Sequence, residues 1–472
     1  MSAVALTLLA LTTLWTALGL AAVVRARHGA PRRRARARGR AMVPPVRPVS
    51  VLKPLCGADP GLEDSLDSFF LQDYPSTMFE IVFGVEDPRD PALAIASELA
   101  RRHPEVPCRM VVHRDGRATV CVHGVSIDGN DGGRSIRAGR GRGDAPEGRV
   151  GTPTPSRRDG LSSSRRALTY RSTLGPGAAG ALGRRGASAA DRLRGPERIR
   201  ATNPKVRNLL GMLPHARHDL LLISDSNVRV APQYLRDMVE TLGSEPAVGL
   251  VTSLVAGRGE DRLGAALESV QLAGFCAAGP ALATSAGDAA VVGKSMLFSR
   301  ALFEMIGGFA RVADVLAEDY VMGKMFQHAG YRVRLGSTVV ENVTAGTSVL
   351  AFLRRQRRWS MLRLRLRPLA FLLEPLASPL VLLPLALVAC GPWAAAWAAW
   401  AACAAWAAGM LALRDAGGWL VLRGWRRIWI PLLLAPLRDL CMLGVWLLTP
   451  FARHVSWRGH RVRVGAGTLL FD

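Results

Sequence analysis

The sequence predicts an α/β domain on a mostly parallel sheet, with an N-terminal transmembrane anchor and C-terminal membrane helices. Three observations predict it. Between about residues 49 and 350, short Val/Ile/Leu runs alternate with stretches of helical spacing, and that alternation implies parallel strands joined by helices. Apolar runs at 2–24, 371–390 and 393–413 are each long enough to cross a bilayer. Mean hydropathy is +0.17 although 21% of the residues are charged, so the apolar residues must be segregated.

Taken in order, residues 1–24 form the anchor. Its arginines follow the apolar run, so the C-terminal side faces the cytoplasm; a secretory leader would carry its charges first. Residues 25–48 form a basic juxtamembrane linker, with nine arginines and no acid between 25 and 47. The first part of the α/β domain, 49–113, has strand patterns at 49–52, 81–85 and 110–112 and helical spacing at 59–72 and 92–102. Residues 114–200 hold eighteen arginines against eight acids among Gly, Ser and Pro. They show no apolar periodicity and read as a low-complexity, disordered insertion. The second part, 201–367, has strands at 220–224 and 249–254, a helix at 232–242 and another opening at 317.

Residues 368–450 form the membrane helices. The spans at 371–390 and 393–413 meet at Gly391-Pro392 as a hairpin, and Glu374 lies near the start of the first, where it can reach the interface. The stretch 428–448 contains Pro431, Pro436, Arg438 and Asp439, and a charged pair in mid-span is expensive. The arginines at 423, 426 and 427 and those at 453, 458, 461 and 463 both belong in the cytoplasm. That requires an even number of crossings between them, so 428–448 is expected to be re-entrant or interfacial. Residues 451–472 are a cytoplasmic tail. The whole reads as a multi-pass protein of a bacterial inner membrane with a cytoplasmic catalytic domain; the Ala/Arg-rich composition suits a high-GC bacterium.

A net charge of +24 suggests nucleic acid, but its two arginine blocks interleave no aromatics with the base. No nucleic-acid partner is expected. Seven scattered cysteines without a Cys-x-x-Cys pair exclude a disulfide scaffold and a structural zinc site. No Gly-x-Ser-x-Gly elbow supports a serine hydrolase. Lysine is rare: Lys53, Lys205, Lys294 and Lys324 are the only four among 61 basic residues. Three of them stand in the strings Leu-Lys-Pro, Asn-Pro-Lys-Val and Gly-Lys-Ser-Met. A compact ammonium cannot be replaced by a guanidinium fork, although four residues could also be placed by chance.

In open α/β sheets ligands bind beyond the carboxyl ends of the strands. Two strand patterns end in acids there: Glu86-Asp87, with Asp90 after it, and Ser224-Asp225-Ser226-Asn227. Either could hold a base, a ribose or a cation, or simply make a turn. Asp225 and Asn227 offer hard oxygens of the kind magnesium or manganese takes beside phosphate. Ala317-Glu318-Asp319-Tyr320 opens a helix, where acids also act as caps. Arg355-Gln356-Arg357-Arg358-Trp359 precedes the second membrane region and doubles as a positive flank.

Together these residues resemble the ceramide glucosyltransferase family of membrane enzymes. Lys53-Pro54-Leu55 with Asp73-Tyr74-Pro75 is similar to its first strand and helix. Glu86-Asp87 with Asp90-Pro91-Ala92 is similar to its first aspartate site, and Asn203-Pro204-Lys205-Val206 to its Asn-Pro-Lys segment. Asp225 to Val230 resembles the second aspartate motif and Ala317 to Tyr320 the third. Arg355 with Arg358-Trp359 fits its (Gln/Arg)-x-x-Arg-Trp signature. The resemblance covers roughly 350 residues outside the insertion.

It implies a GT-A domain, Rossmann-like with a mostly parallel sheet, that transfers a sugar with inversion from a UDP-sugar to a lipid hydroxyl. Asp319 would be the general base. Asp87, Lys53, Asp225 and Lys205 would bind the nucleotide-sugar, and Asp225 with Asn227 would hold Mg²⁺ or Mn²⁺. Arg355 and Arg358 would clamp the diphosphate, with Trp359 closing the acceptor side. UDP-glucose and a ceramide-like lipid are the expected substrates. The chain departs from the family in the insertion and in 275–283, which lacks the His and aromatics of animal members. Residues 212–219 and 313–316 also resemble bacterial hopanoid glycosyltransferases, so a hopanoid (bacteriohopanetetrol) receiving N-acetylglucosamine is the alternative acceptor. An inactive protein that binds nucleotide-sugar or lipid is the alternative of another class.

Overall fold

The computed structural model describes residues 3–38, 46–114, 117–122, 125–128, 201–389, 397–452, 454–457, 460–465 and 468–471. The sheet follows from uninterrupted apolar runs. β1 (Val49–Pro54), β2 (Phe79–Val85) and β3 (Cys108–Arg114) pair in parallel. β4 (Arg117–Val122) and β5 (Val125–Asp128) continue the edge beyond β3 as antiparallel strands. On the other side β6 (Leu220–Ser224) runs parallel to β1. After β7 (Val228–Arg229), β8 (Val248–Thr252) and β9 (Val255–Arg258) comes β10 (Ser295–Ser299), which lies antiparallel between β6 and β8. β11 (Arg332–Leu335) closes the far edge, and β12 (Val340–Val343) joins β7 and β9 in a small second sheet.

Side chains alternate between the two faces, as strand geometry requires. Val49, Val51, Leu220 and Leu222 enter one core, while Leu52, Leu221 and Ile223 enter the other. Both faces are covered by helices, which is why these strands read as continuous hydrophobic runs. The arrangement is the GT-A type of α/β domain that the resemblance implies.

One expectation is corrected at once. The composition from 114 onward predicts a disordered stretch, yet 117–122 and 125–128 are strands. Val120, Val122, Val125 and Ile127 carry the β-branched signal, hidden by the surrounding arginine and glycine. The remainder of the insertion, 129–200, lies outside the described residues.

The helices are α1 (Ala3–Arg38), α2 (Leu62–Phe70), α3 (Pro91–Arg102), α4 (Pro204–Met212) and α5 (Tyr234–Leu242). α6 (Leu263–Gln271) runs through a π-turn at Leu272–Cys276 into α7 (Ala277–Ser285). Then come α8 (Arg300–Met305), α9 (Glu318–His328), the basic amphipathic α10 (Val349–Leu366) and α11 (Pro368–Leu373). α12 (Pro379–Ala389) and α13 (Trp397–Leu411) follow. α13 continues through a second π-turn, Ala412–Ala416, into α14 (Gly417–Arg423), and α15 (Trp429–Leu448) ends the series.

Among the described residues, two helical segments, Leu6–Gly29 and Trp429–Phe451, are long and apolar enough to cross a membrane; a bent pair makes a third if it is one span. That pair corrects the expected straight span at 371–390: Pro368–Ala377 and Pro379–Val388 meet at 66°. Pro375 and Pro379 remove backbone donors on either side of Ser378, and helices kink at such positions. Glu374 does not reach out to the interface; it is paired with Arg363 at 2.8 Å. The Gly391-Pro392 link lies outside the described residues.

Helix α15 is continuous despite its prolines. Pro431 falls in the first turn, where its missing N–H would be unpaired anyway. Its charges are matched within the protein: Arg414 contacts Asp415 and Asp439 at 2.8 Å, and Arg438 contacts Asp415 at 2.5 Å and Asp439 at 2.9 Å. All four are buried. Both ends of α15 pack on the α/β domain. Arg427, just before it, pairs with Glu260 at 3.2 Å, and Ala452, just after it, clusters with Leu316, Met361 and Leu470.

The tail also folds. β13 (His454–Trp457), β14 (His460–Val464) and β15 (Leu470–Phe471) make a small antiparallel sheet. Its end docks on the loop before α9, where Leu470 N–H donates to Asp314 O and Leu316 N–H to Thr468 O.

Removing one partner from a buried ion network strands the other charges, at a cost of roughly 3–5 kcal/mol. Asp415→Ala is therefore expected to lower the thermal midpoint of the detergent-solubilised protein strongly. The double substitution Asp415→Leu/Arg438→Met should lower it less, because it removes charge in pairs.

Candidate active site

The site is built at the carboxyl ends of β1 and β6, with β10 entering from the opposite direction. Parallel register puts Leu52 opposite Ile223, so Lys53 lies level with Ser224 and Asp225 follows immediately. Lys53 is fully buried. Its Nζ donates to the backbone oxygen of Asp225 at 2.6 Å and sits 3.9 Å from the centre of the Phe69 ring. Burial drives its pKa well below the usual lysine value, more strongly than the Asp225 charge raises it.

Lys205 comes from the start of α4. Asn203 is the N-cap of that helix, accepting from the N–H groups of Lys205 and Val206 at 2.9 and 3.1 Å, and Pro204 fits the first helical position. A cation in a first helical turn opposes the helix dipole, so it needs counter-charges. It has two: Asp225 at 2.9 Å and Glu318 at 3.1 Å. Burial works against the Lys205 charge, but Asp225, Glu318 and Asp319 outweigh it and raise the pKa. Asn203 ties the same Glu318 with its amide at 3.3 Å.

Lys294, which opens β10, completes the ring. Its Nζ lies 3.0 Å from Asp225 Oδ2 and 2.8 Å from Asn227 Oδ1. Burial lowers its pKa, Asp225 opposes that, and the neighbouring charges of Arg355 and Lys205 add to the lowering. Asp225 is half-buried, and its desolvation alone would raise its pKa; Lys205 and Lys294 hold it far below the usual carboxylate range instead. Three of the chain's four lysines thus converge on one aspartate, and the fourth, Lys324, pairs with Asp288.

Asp319 lies next to this cluster through Gly293. The Gly293 N–H donates to Asp319 Oδ2 at 2.8 Å, while its carbonyl accepts from Lys205 Nζ at 3.0 Å. Tyr320 N–H donates to Asp319 Oδ1 at 2.8 Å. A β-carbon on Gly293 would meet Asp319 Oδ2 at 2.6 Å, so only glycine permits this approach. Burial first, then the Glu318 charge, raise the Asp319 pKa to about 6, against Lys205 and the two N–H groups. It therefore ionises near neutrality, as a proton acceptor should.

The other expected site residues are placed as follows. Asp87 stands exposed in the loop after β2, its carboxylate accepting from Arg89 N–H at 2.9 Å; no contact joins it to the lysines. Arg355 on α10 is drawn to the buried Glu268. Arg358 and Trp359 are half-buried on that helix, and Trp359 packs against the core cluster that also receives Val292 and Cys276. Sequence reasoning left out Gly293, Lys294, Asn203 and Glu318 as site residues. The scarcity of lysine was the available signal for Lys294; the role of Gly293 needs the fold.

The fit of a divalent cation rests on Asp225 and Asn227. Their oxygens face one point, and the Lys294 ammonium sits there as a stand-in cation. Among the described residues no group of three or more His, Cys, Asp or Glu side chains converges. The notch therefore suits a cation whose other ligands come from a bound phosphate, once Lys294 turns away.

The family model for glycosyl transferase family 21 matches residues 5–120 and 192–470. Ceramide glucosyltransferase 1 of Caenorhabditis elegans is 22% identical over 328 residues, which is 70% of this chain and 52% of that protein. Ceramide glucosyltransferase 3 of the same organism is 29% identical over 183 residues, 37% of this chain and 38% of that protein. The matched segments thus span about half or less of those relatives. The chain is also similar to a mannosyltransferase from Pyrobaculum calidifontis in complex with GDP-Man and Mn²⁺, at 18% identity and a TM-score of 0.44, covering 93% of this chain and 99% of that one.

Substituting Lys205 by Met leaves Asp225 and Glu318 facing each other with one counter-charge fewer. A loss of roughly 3–5 kcal/mol is expected, read as a lower unfolding midpoint in detergent. Lys205→Arg should fail to restore it, because the fork cannot occupy the place of a point charge.

Proposed function

The chain belongs to glycosyl transferase family 21, and on that premise we propose that it transfers a sugar, with inversion, from a UDP-sugar to the hydroxyl of a membrane lipid. The relatives' names favour glucose and a ceramide-like acceptor, and the family resemblance favours UDP as the sugar's carrier. The observation that carries the reading is the Gly293-Lys294 dipeptide. It holds Asp319 through one N–H and Asp225 through the adjacent ammonium, so a base and a cation cluster stand on adjoining residues.

The chemistry follows from that placement. The lipid oxygen attacks the anomeric carbon as the bond from that carbon to the diphosphate breaks, and the hydroxyl proton passes to Asp319. Attack from the face opposite the departing diphosphate inverts the centre. Lys205 and Lys294 stand ready to exchange Asp225 for the phosphate oxygens, where charge develops. A Mg²⁺ or Mn²⁺ held by Asp225 and Asn227 would supply further neutralisation of that leaving group. Asp87, exposed in the loop after β2, would hydrogen-bond the uracil or ribose. Arg355 can serve the diphosphate by releasing Glu268. Arg358 would add to that clamp, and Trp359 would close the acceptor side. Helices long and apolar enough to cross a membrane would set this chemistry at the bilayer, where a lipid acceptor resides.

Asp319 accepts a proton only when ionised, so activity is lost as pH falls through about 6 and is level above it. Membranes carrying the protein, given UDP-glucose or UDP-N-acetylglucosamine with ceramide and bacteriohopanetetrol, should yield a glycolipid identifiable by mass spectrometry, with that acid limb in kcat/KM. Asp319→Asn is expected to lose about 10²–10⁴-fold in rate and the limb with it. A folded protein that makes no glycolipid from any pairing contradicts the proposal.

A further inference from the structure

Lys294 stands where a cation belongs. Its Nζ lies 3.0 Å from Asp225 Oδ2 and 2.8 Å from Asn227 Oδ1, the two oxygens that make up the divalent-cation notch. The other oxygens of Asp225 are engaged as well. Lys205 Nζ takes Oδ1 at 2.9 Å, and Lys53 Nζ takes the backbone oxygen at 2.6 Å. An ammonium therefore lies on each oxygen that this aspartate could give to a metal ion.

That occupancy decides what a free divalent ion would meet. To enter the notch it must displace the Lys294 ammonium, and it then sits beside the charges of Lys205 and Lys53. In exchange the protein offers one carboxylate oxygen and one neutral amide oxygen. Magnesium and manganese favour an octahedron of oxygens, commonly completed by water or phosphate. Like charges crowded into a partly buried place repel strongly, because water screens them poorly there. A free ion is thus a poor match for the notch. A diphosphate reverses the balance: its oxygens complete the ion's shell, and its negative charge gives the displaced ammonium a new partner.

Only the side chain of Lys294 has to move. Gly293 is pinned on one side of it, by its N–H to Asp319 Oδ2 at 2.8 Å and its carbonyl to Lys205 Nζ at 3.0 Å. Ser295 is pinned on the other, paired with Ser224 in the sheet. Between them the Lys294 side chain is 22% exposed, so part of its flexible aliphatic stem faces open space. It can leave Asp225 while Asp319 stays held. The notch between two oxygens suits a compact point charge and not a planar guanidinium fork, which accounts for a lysine here in an arginine-rich chain.

We propose that Lys294 is a built-in counter-cation that shuts free divalent ions out of the Asp225–Asn227 notch and yields it only to an ion bound together with a nucleoside diphosphate. The ammonium that excludes the ion then turns to the phosphates. Ion and nucleotide consequently bind with positive coupling, and by linkage each raises the other's affinity by the same factor. The proposal rests on reading the cluster as a nucleotide-sugar site, and its test reads binding rather than turnover.

Manganese is the probe, because free Mn²⁺ is counted directly by electron paramagnetic resonance. The detergent-solubilised full-length protein is titrated with Mn²⁺, alone and with UDP present, after subtraction of the Mn²⁺ that UDP binds in solution. UDP is titrated by calorimetry with and without Mn²⁺. In the wild type, UDP should tighten Mn²⁺ binding by about 10- to 100-fold, and Mn²⁺ should tighten UDP binding equally. In Lys294→Met, and in Lys294→Gln as a second variant, the notch holds no ammonium. Mn²⁺ alone should then bind about tenfold more tightly than to the wild type, and the coupling should shrink by the same factor. A purely structural ion pair would leave the affinity for Mn²⁺ unchanged.

Mn²⁺ binding to the nucleotide-free wild type as tightly as to the folded variants overturns the proposal. UDP binding that is indifferent to Mn²⁺ overturns it too, and leaves the donor reading standing. If UDP binds neither with nor without Mn²⁺, the donor reading falls and this inference falls with it.

Discussion

An aspartate ringed by three lysines, two of them buried, is the contact on which the rest of the structure depends. Asp225 ends β6, and its partners arrive from three distant segments: Lys53 from β1, Lys205 from the cap of α4, and Lys294 from the start of β10. Burying so many charges is unfavourable unless each is matched. The match requires β1 and β10 to flank β6 and Asn203-Pro204 to set the helix start. A fold that arranges cations in a dry place before any ligand arrives carries a standing electrostatic tension. The lowered pKa values of Lys53 and Lys294 express it. A diphosphate would relieve it, which is the physical reason to read the cluster as a binding device rather than as structural glue.

The same logic explains why glycine stands at 293. One residue must touch Asp319 with its N–H, Lys205 with its carbonyl and Asp225 through its successor. A side chain there would collide with the carboxylate. The base and the cation cluster are consequently one rigid unit. The tail strengthens it from outside, since Thr468 and Leu470 bond the loop that leads into Asp319.

Much of this was legible in the sequence. The strands at 49–52, 81–85 and 220–224 announce themselves by apolar runs, and acids after the last two announce the site. Scarce lysines in distinctive strings pointed to a shared purpose. What stayed hidden is instructive. β11 reads Arg-Val-Arg-Leu and looks like a charged loop, because only alternate residues are buried. The hairpin at 117–128 is masked by arginine-rich neighbours. The bend at Ser378 turned a straight span into two pieces. Arg438 and Asp439 looked prohibitive in an apolar helix because their partners, Arg414 and Asp415, lie more than twenty residues away. Local pattern reveals which residues are unusual; only packing reveals whom they meet.

The central claim, that the lysine cluster awaits a diphosphate, is tested most directly by calorimetric titration of UDP into the purified full-length protein and its Lys294→Met variant. Loss of a charge-assisted hydrogen bond is worth about 1.5–3 kcal/mol, so the account predicts a Kd weaker by roughly 10- to 100-fold in the variant. Equal affinity for UDP in the two proteins, both folded, would contradict it.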